Sequence, residues 1–78
     1  MSTKQRYSEL VWRGVETQAR EVERGLFSFV SVGEVARAAG VSRPTAAKYL
    51  DAFADAGFMA RMQIGDMSFY RPLSQNED

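Results

Sequence analysis

The chain is 78 residues long, carries 10 Lys+Arg against 10 Asp+Glu, contains no cysteine and no histidine, and is 45% hydrophobic. A chain of this length makes one small domain, and this one cannot be stapled by disulfides or by His/Cys-ligated zinc. The missing His and Cys also remove the usual serine and cysteine triads and most acid–base chemistry at neutral pH, so neither an enzyme nor a cofactor or metal is expected. No basic, apolar, small-residue sequence opens the chain as a secretory signal would, and the apolar runs are too short to span a membrane. With no cysteine, the cytoplasm is the expected compartment.

From Gln5 to Arg24 the residues Tyr7, Leu10, Val11, Val15, Ala19 and Val22 recur at three- and four-residue spacings, and Gly25 stands where a C-cap would. This predicts a first helix within residues 1–25. With Trp12 the apolar positions cover an arc of roughly 200°, where one core needs little more than about 100°. Leu10 on one flank and Trp12 on the other are left over. Tyr7, Leu10 and Trp12 are therefore candidates for a homodimer contact, the alternative being that Trp12 lies over Phe27 or Phe29 of its own chain. Glu9 with Arg13, and Glu16 with Arg20, are i,i+4 pairs that read as a solvated face.

Leu26 to Val30 reads as an apolar link. Ser31-Val32-Gly33-Glu34 then has the spacing of a capping box, so a second helix starts at Ser31 and ends at Gly40. Ser42 caps a third helix, with Pro44 tolerated in its first turn, running to about Ala56 before Gly57 stops it. Ala46, Tyr49, Leu50 and Phe53 lie on its inner side, and Pro44, Thr45, Lys48, Asp51, Ala52 and Asp55 on its outer side. Asp51 and Asp55 read as solvated helix face.

The period then changes. Residues 58–64 and 67–72 are two β-type runs around the two-residue turn Gly65-Asp66, a hairpin over 58–72. A two-residue turn pairs Ile64 with Met67 and Met62 with Phe69 on one face, and Gln63 with Ser68 and Arg61 with Tyr70 on the other. One face is left to pack on the helices while the tip and the other face meet solvent. Met59, Met62 and Met67 are expected in core and hairpin packing rather than a soft-metal site. Residues 74–78 read as a disordered tail, leaving 1–73 as one α+β domain of three helices followed by a two-stranded hairpin.

The stretch from Val35 to Leu50 (VARAAGVSRPTAAKYL) resembles the helix-turn-helix signature, with small Ala36 where two helices cross, Gly40 in the turn, Val41 beside it, and Ala46 and Leu50 inward. With Phe53, Gly57, Phe58, Met59 and the hairpin following, the segment from about Ser31 to Leu73 resembles the winged helix-turn-helix domains of bacterial and archaeal transcription regulators. VSRPTAAKYLDAFADAGFM is similar to small regulators of this class common among halophilic archaea. The resemblance implies sequence-specific binding of double-stranded DNA, with the 43–56 helix in the major groove and the 58–72 hairpin as wing.

On that reading Ser42, Arg43, Pro44 and Thr45 form the groove-facing end, where capping groups and orphan backbone donors hold phosphate. Arg43 and Lys48 are placed for guanine edges or phosphates, Thr45 and the Ala47 methyl for bases, and Tyr49 for the backbone. Arg61 and Arg71 flank the base of the wing and Gln63 lies nearer its tip. The tip carries Asp66, a departure from the commoner basic wing. Winged-helix regulators commonly dimerise through helices outside the motif, which leaves the first helix as the candidate surface.

Formal charge is zero, yet residues 1–73 carry 10 positive against 8 negative, the last two acids being Glu77 and Asp78. Non-specific affinity for DNA, which comes chiefly from Lys and Arg, is correspondingly modest. A winged-helix module that binds another protein and never touches DNA is the alternative reading.

Overall fold

The computed structural model describes residues 3–24 and 26–73 and folds them as α1 (Thr3–Gln18), β1 (Glu21–Glu23), β2 (Leu26–Phe27), β3 (Val30–Ser31), α2 (Val32–Ala39), α3 (Arg43–Asp55), β4 (Met59–Ile64) and β5 (Met67–Pro72). The expected cap at Gly25 and the expected tail 74–78 lie outside the described residues.

Two serines set the start of the helix pair. The Ser31 hydroxyl accepts the Glu34 amide at 3.2 Å, and the Glu34 carboxylate accepts the Ser31 amide at 3.2 Å, so two orphan donors of α2 are satisfied reciprocally. The Ser42 hydroxyl accepts the Thr45 amide at 3.3 Å and donates to Thr45 Oγ1 at 2.8 Å, opening α3 with Pro44 in the first turn. Between the helices Gly40 takes φ 71° and ψ 34°, a left-handed cap that a Cβ would strain. Both helices thus begin and end where the sequence places them.

The first helix is shorter than its periodicity predicts. It ends at Gln18, and residues 21–23 form a strand paired with Leu26–Phe27. Arg20 and Ser28 close this ribbon, Ser28 N–H donating to Arg20 O at 2.8 Å and Arg20 N–H to Ser28 Oγ at 3.0 Å. Val22, which extended the apparent stripe, lies in β1 and is 65% exposed. Glu16 and Arg20 therefore do not face each other on one helix, and the expected apolar link is two short strands.

The hairpin register is the expected one: Ile64 opposite Met67, Gln63 opposite Ser68, Met62 opposite Phe69 and Arg61 opposite Tyr70. β3 adds a third strand, Val30 opposite Tyr70 and Ser31 opposite Phe69, giving the order β3-β5-β4. The expected two-stranded wing is thus part of a three-stranded sheet, and β1–β2 is a second sheet.

One face of the larger sheet closes the core. Val30, Met59 and Tyr70 join Val11 and Val15 of α1, Val35 and Ala36 of α2, and Ala46 and Leu50 of α3, all buried. Burial thus selects the face of Arg61 and Tyr70, and leaves Met62, Ile64 and Met67 outside. Of the three methionines expected in packing, only Met59 is in the core.

Where α1 crosses α2, buried Gly14 lets the backbones meet: a Cβ there would lie 3.1 Å from Val35 O and 3.2 Å from Ala39 Cβ. Gly14→Leu is expected to lower stability by about 2–3 kcal/mol through overpacking, although leucine favours the helix by roughly 1 kcal/mol. A urea unfolding midpoint no lower than that of the native protein would contradict this crossing.

Candidate nucleic-acid interface

The N-terminal half of α3 presents its expected side chains outward. Ser42, Arg43, Pro44 and Lys48 are exposed, Thr45, Ala47 and Tyr49 are half-buried, and Ala46 and Leu50 point into the core. Ser42, Thr45, Lys48 and Tyr49 line one open cleft together with Gly40, Val41 and, from α1, Tyr7. Lys48 Nζ stands 5.9 Å from the centre of the Tyr49 ring. Arg43 lies across the first turn of α2: a Cβ on Gly33 would meet its guanidinium at 3.2 Å, so the missing side chain leaves that space open. Neither Arg43 nor Lys48 is in an ion pair among the described residues.

The C-terminal half of α3 has a different chemistry. Asp51 accepts from Arg61 Nη1 at 2.9 Å and, on the same oxygen, from the Tyr70 hydroxyl. Asp51 is therefore not merely solvated face: it ties α3 to both strands of the hairpin. The Arg61–Asp51 pair is half-exposed on each side, and solvent screens it. The Asp51 hydrogen bond and charge raise the Arg61 pKa, and the charge of this guanidinium is directed at a carboxylate.

Tyr70 is 2% exposed at its base in the core, and burial together with the Asp51 carboxylate raises its hydroxyl pKa. A raised value means that the folded state holds this proton more tightly than the unfolded chain. The contribution is complete below about pH 10, the ordinary tyrosine value, and is lost as pH rises through the folded value. Tyr70→Phe is expected to cost about 1–2 kcal/mol near neutrality and to flatten the loss of stability on the alkaline side. Urea titrations of both proteins across that range test it; equal alkaline slopes would contradict the role of the hydroxyl.

The other expected wing contacts do not converge. Gln63 is exposed near the tip and donates to Gly65 O at 3.4 Å. Arg71 belongs to the opposite face of the hairpin from Arg61, and its guanidinium lies 5.7 Å from the centre of the Phe29 ring. The two wing arginines thus point to different sides.

The three α1 candidates also separate. Tyr7, 40% exposed, is a wall of the α3 cleft, and Leu10 is half-buried. Trp12 packs edge-on against Phe53 at 5.1 Å and Phe58 at 6.3 Å between ring centres. The rings that cover it are not Phe27 or Phe29, because the chain turns away into β1 after Gln18. What remains open of Trp12 borders a separate shallow pocket with Ser8, Glu9, Arg13, Glu16 and Phe53.

Sequence reasoning missed two features: the Asp51 link and the place of Tyr7 beside the α3 cleft. A signal for the first was present, since the register sets Arg61 beside Tyr70, two donors that one carboxylate can satisfy. Tyr7 gave none, because its position depends on how α1 crosses the helix pair.

No protein-family model matches the chain, and no curated protein matches it. Among solved structures, the chain is similar to Sso10a-2, a DNA-binding protein from Sulfolobus solfataricus, with a TM-score of 0.59 and 19% sequence identity. The likeness covers 96% of this chain and 65% of that one, and it is a likeness of fold. The fold is thus one that a DNA-binding protein uses. Among the described residues, no helix is long and apolar enough to cross a membrane.

Proposed function

We propose that the protein is a winged helix-turn-helix regulator that binds double-stranded DNA sequence-selectively, with α3 as the reader in the major groove and β4–β5 as the wing. It acts without catalysis, in the cytoplasm, as a homodimer on a two-fold operator, in the manner of the small archaeal regulators whose α3 it resembles. The observation that carries this reading is the division of α3. Its N-terminal half offers Ser42, Arg43, Thr45 and Lys48 outward with neither cation in an ion pair, while Asp51 in its second half is held by Arg61 and Tyr70. The first acid of α3 is thereby compensated.

The structural neighbour, itself a DNA-binding protein, supports the same class of partner. Arg43, Pro44, Thr45, Ala47 and Lys48 reach base edges and phosphates, Ser42 and Tyr49 hold the backbone, and Gln63 touches the flanking strand. Arg61 acts mainly through Asp51, setting the angle of the wing.

Selection of bound sequences from random duplex DNA at two salt concentrations tests the proposal. An enriched motif is expected, with affinity falling as salt rises at a log–log slope of about −3 to −4 if roughly four phosphates are neutralised. Absence of duplex binding at low salt would overturn it and assign the fold to a protein-interaction module.

A further inference from the structure

Gly33 is the second residue of α2, half-buried between the capping Ser31 and Glu34. In a helical turn glycine is the least favourable residue after proline. Conformational freedom does not account for it, because the described glycines with positive φ are Gly40, Gly57 and Gly65. What glycine supplies at this position is space. A Cβ there would lie 3.2 Å from Arg43 Nη2, 3.4 Å from Nε and 3.5 Å from Cζ, so its three nearest neighbours all belong to one guanidinium.

The fold gains little from this placement. Arg43 is exposed and in no ion pair among the described residues. Glu34, the acid of the same turn, accepts instead from the Ser31 amide at 3.2 Å and the Ser31 hydroxyl at 3.0 Å. A cation beside the first turn of α2 also faces the positive end of the helix dipole. A glycine in a helical turn and a cation at a helix start both run against local preference, and such departures without a gain in stability mark functional positions.

We propose that Gly33 is a positioning residue for DNA binding: its missing side chain lets the Arg43 guanidinium lie against α2, which directs this charge to the phosphate backbone and away from base edges. The inference rests on α3 as the reader helix and names the target of Arg43 within that reading. In helix-turn-helix binding the first helix crosses the backbone, while the N-terminal residues of the second meet base edges. Arg43 belongs to the second helix by sequence, yet its guanidinium lies on the first. Thr45 and Lys48, which line the α3 cleft, are left to read bases.

Anisotropy over a range of salt, on the selected motif and on duplexes with single base changes, tests the proposal. Arg43→Ala is expected to weaken binding about tenfold on every duplex alike and to make the log–log salt slope shallower by about one unit. Gly33→Leu is expected to weaken it about fivefold with a shallower slope, Gly33→Ala about twofold, and neither to change affinity further once Arg43 is alanine. The atoms displaced are the end of a flexible side chain, so the fold is kept, and Gly33→Ala is expected to raise the thermal midpoint by about 2–4 °C through better helix propensity. Weaker binding by a more stable protein is not the result of a merely structural role. A loss on Gly33→Leu that persists beside Arg43→Ala, Gly33 variants that bind like the native protein, or an Arg43→Ala loss confined to one base pair of the motif would each overturn the proposal, and in all three the native protein still binds duplex. Failure of the DNA reading is distinct: the native protein then binds no duplex at any salt, and the role of Gly33 falls with it.

Discussion

Arg43→Ala/Lys48→Ala is expected to weaken duplex binding by roughly 100-fold at physiological salt, and to make the log–log salt slope shallower by about two units. Each side chain is exposed at the groove-facing half of α3 and outside any ion pair among the described residues, so its removal takes away a contact to DNA and nothing from the core. The thermal midpoint should stay within a few degrees of the native value, since substitutions on such a surface usually change stability by no more than about 0.5 kcal/mol. Filter binding or anisotropy on the selected motif, with circular dichroism on the same samples, reads both quantities. An affinity unchanged in this variant would mean that α3 does not enter the groove. Loss of the slope change alone would mean that the two cations read bases without touching phosphate.

Leu50→Ala is the substitution expected to cost most in stability, about 3–4 kcal/mol. Leu50 is fully buried on α3 in the cluster that joins all three helices to the sheet, and truncation removes transfer free energy and leaves a cavity that the neighbours fill only in part. A domain of this size holds roughly 4–12 kcal/mol in all, so the loss is a large fraction of it. The thermal midpoint should fall by on the order of 15–25 °C. A fall of less than about 5 °C would show that the core is not centred between α3 and the sheet.

Arg43 and Lys48 lie seven and two residues before Leu50 in one helix, and the two variants separate function from folding because α3 has two sides. That division was legible in the sequence. The spacing of Ala46, Tyr49, Leu50 and Phe53 assigns the inner side, and the serines at 31 and 42 fix the helix starts through hydrogen bonds that close within four residues. The two-residue turn at Gly65-Asp66 fixes the hairpin register in the same way. Local interactions account for these features.

Interactions between residues far apart in the chain decided the rest. The length of α1 was not legible, because the pairing of Glu21–Glu23 with Leu26–Phe27 competes with one more helical turn, and the outcome depends on how much of that turn the core could bury. The packed face of the hairpin was not legible either. Alternation distinguishes two faces, but which of them closes the core depends on Tyr70, whose ring fills the space under α3 while its hydroxyl reaches Asp51. The same choice sends Met62, Ile64 and Met67 outward and commits Arg61 to α3. The sequence by itself therefore determined the helix pair, its caps, its inner and outer sides and the strand register, all short-range geometry. The tertiary structure alone decided which sheet face is buried, where Tyr7 and Trp12 lie, and which cations remain outside ion pairs, because those depend on competition for one small core.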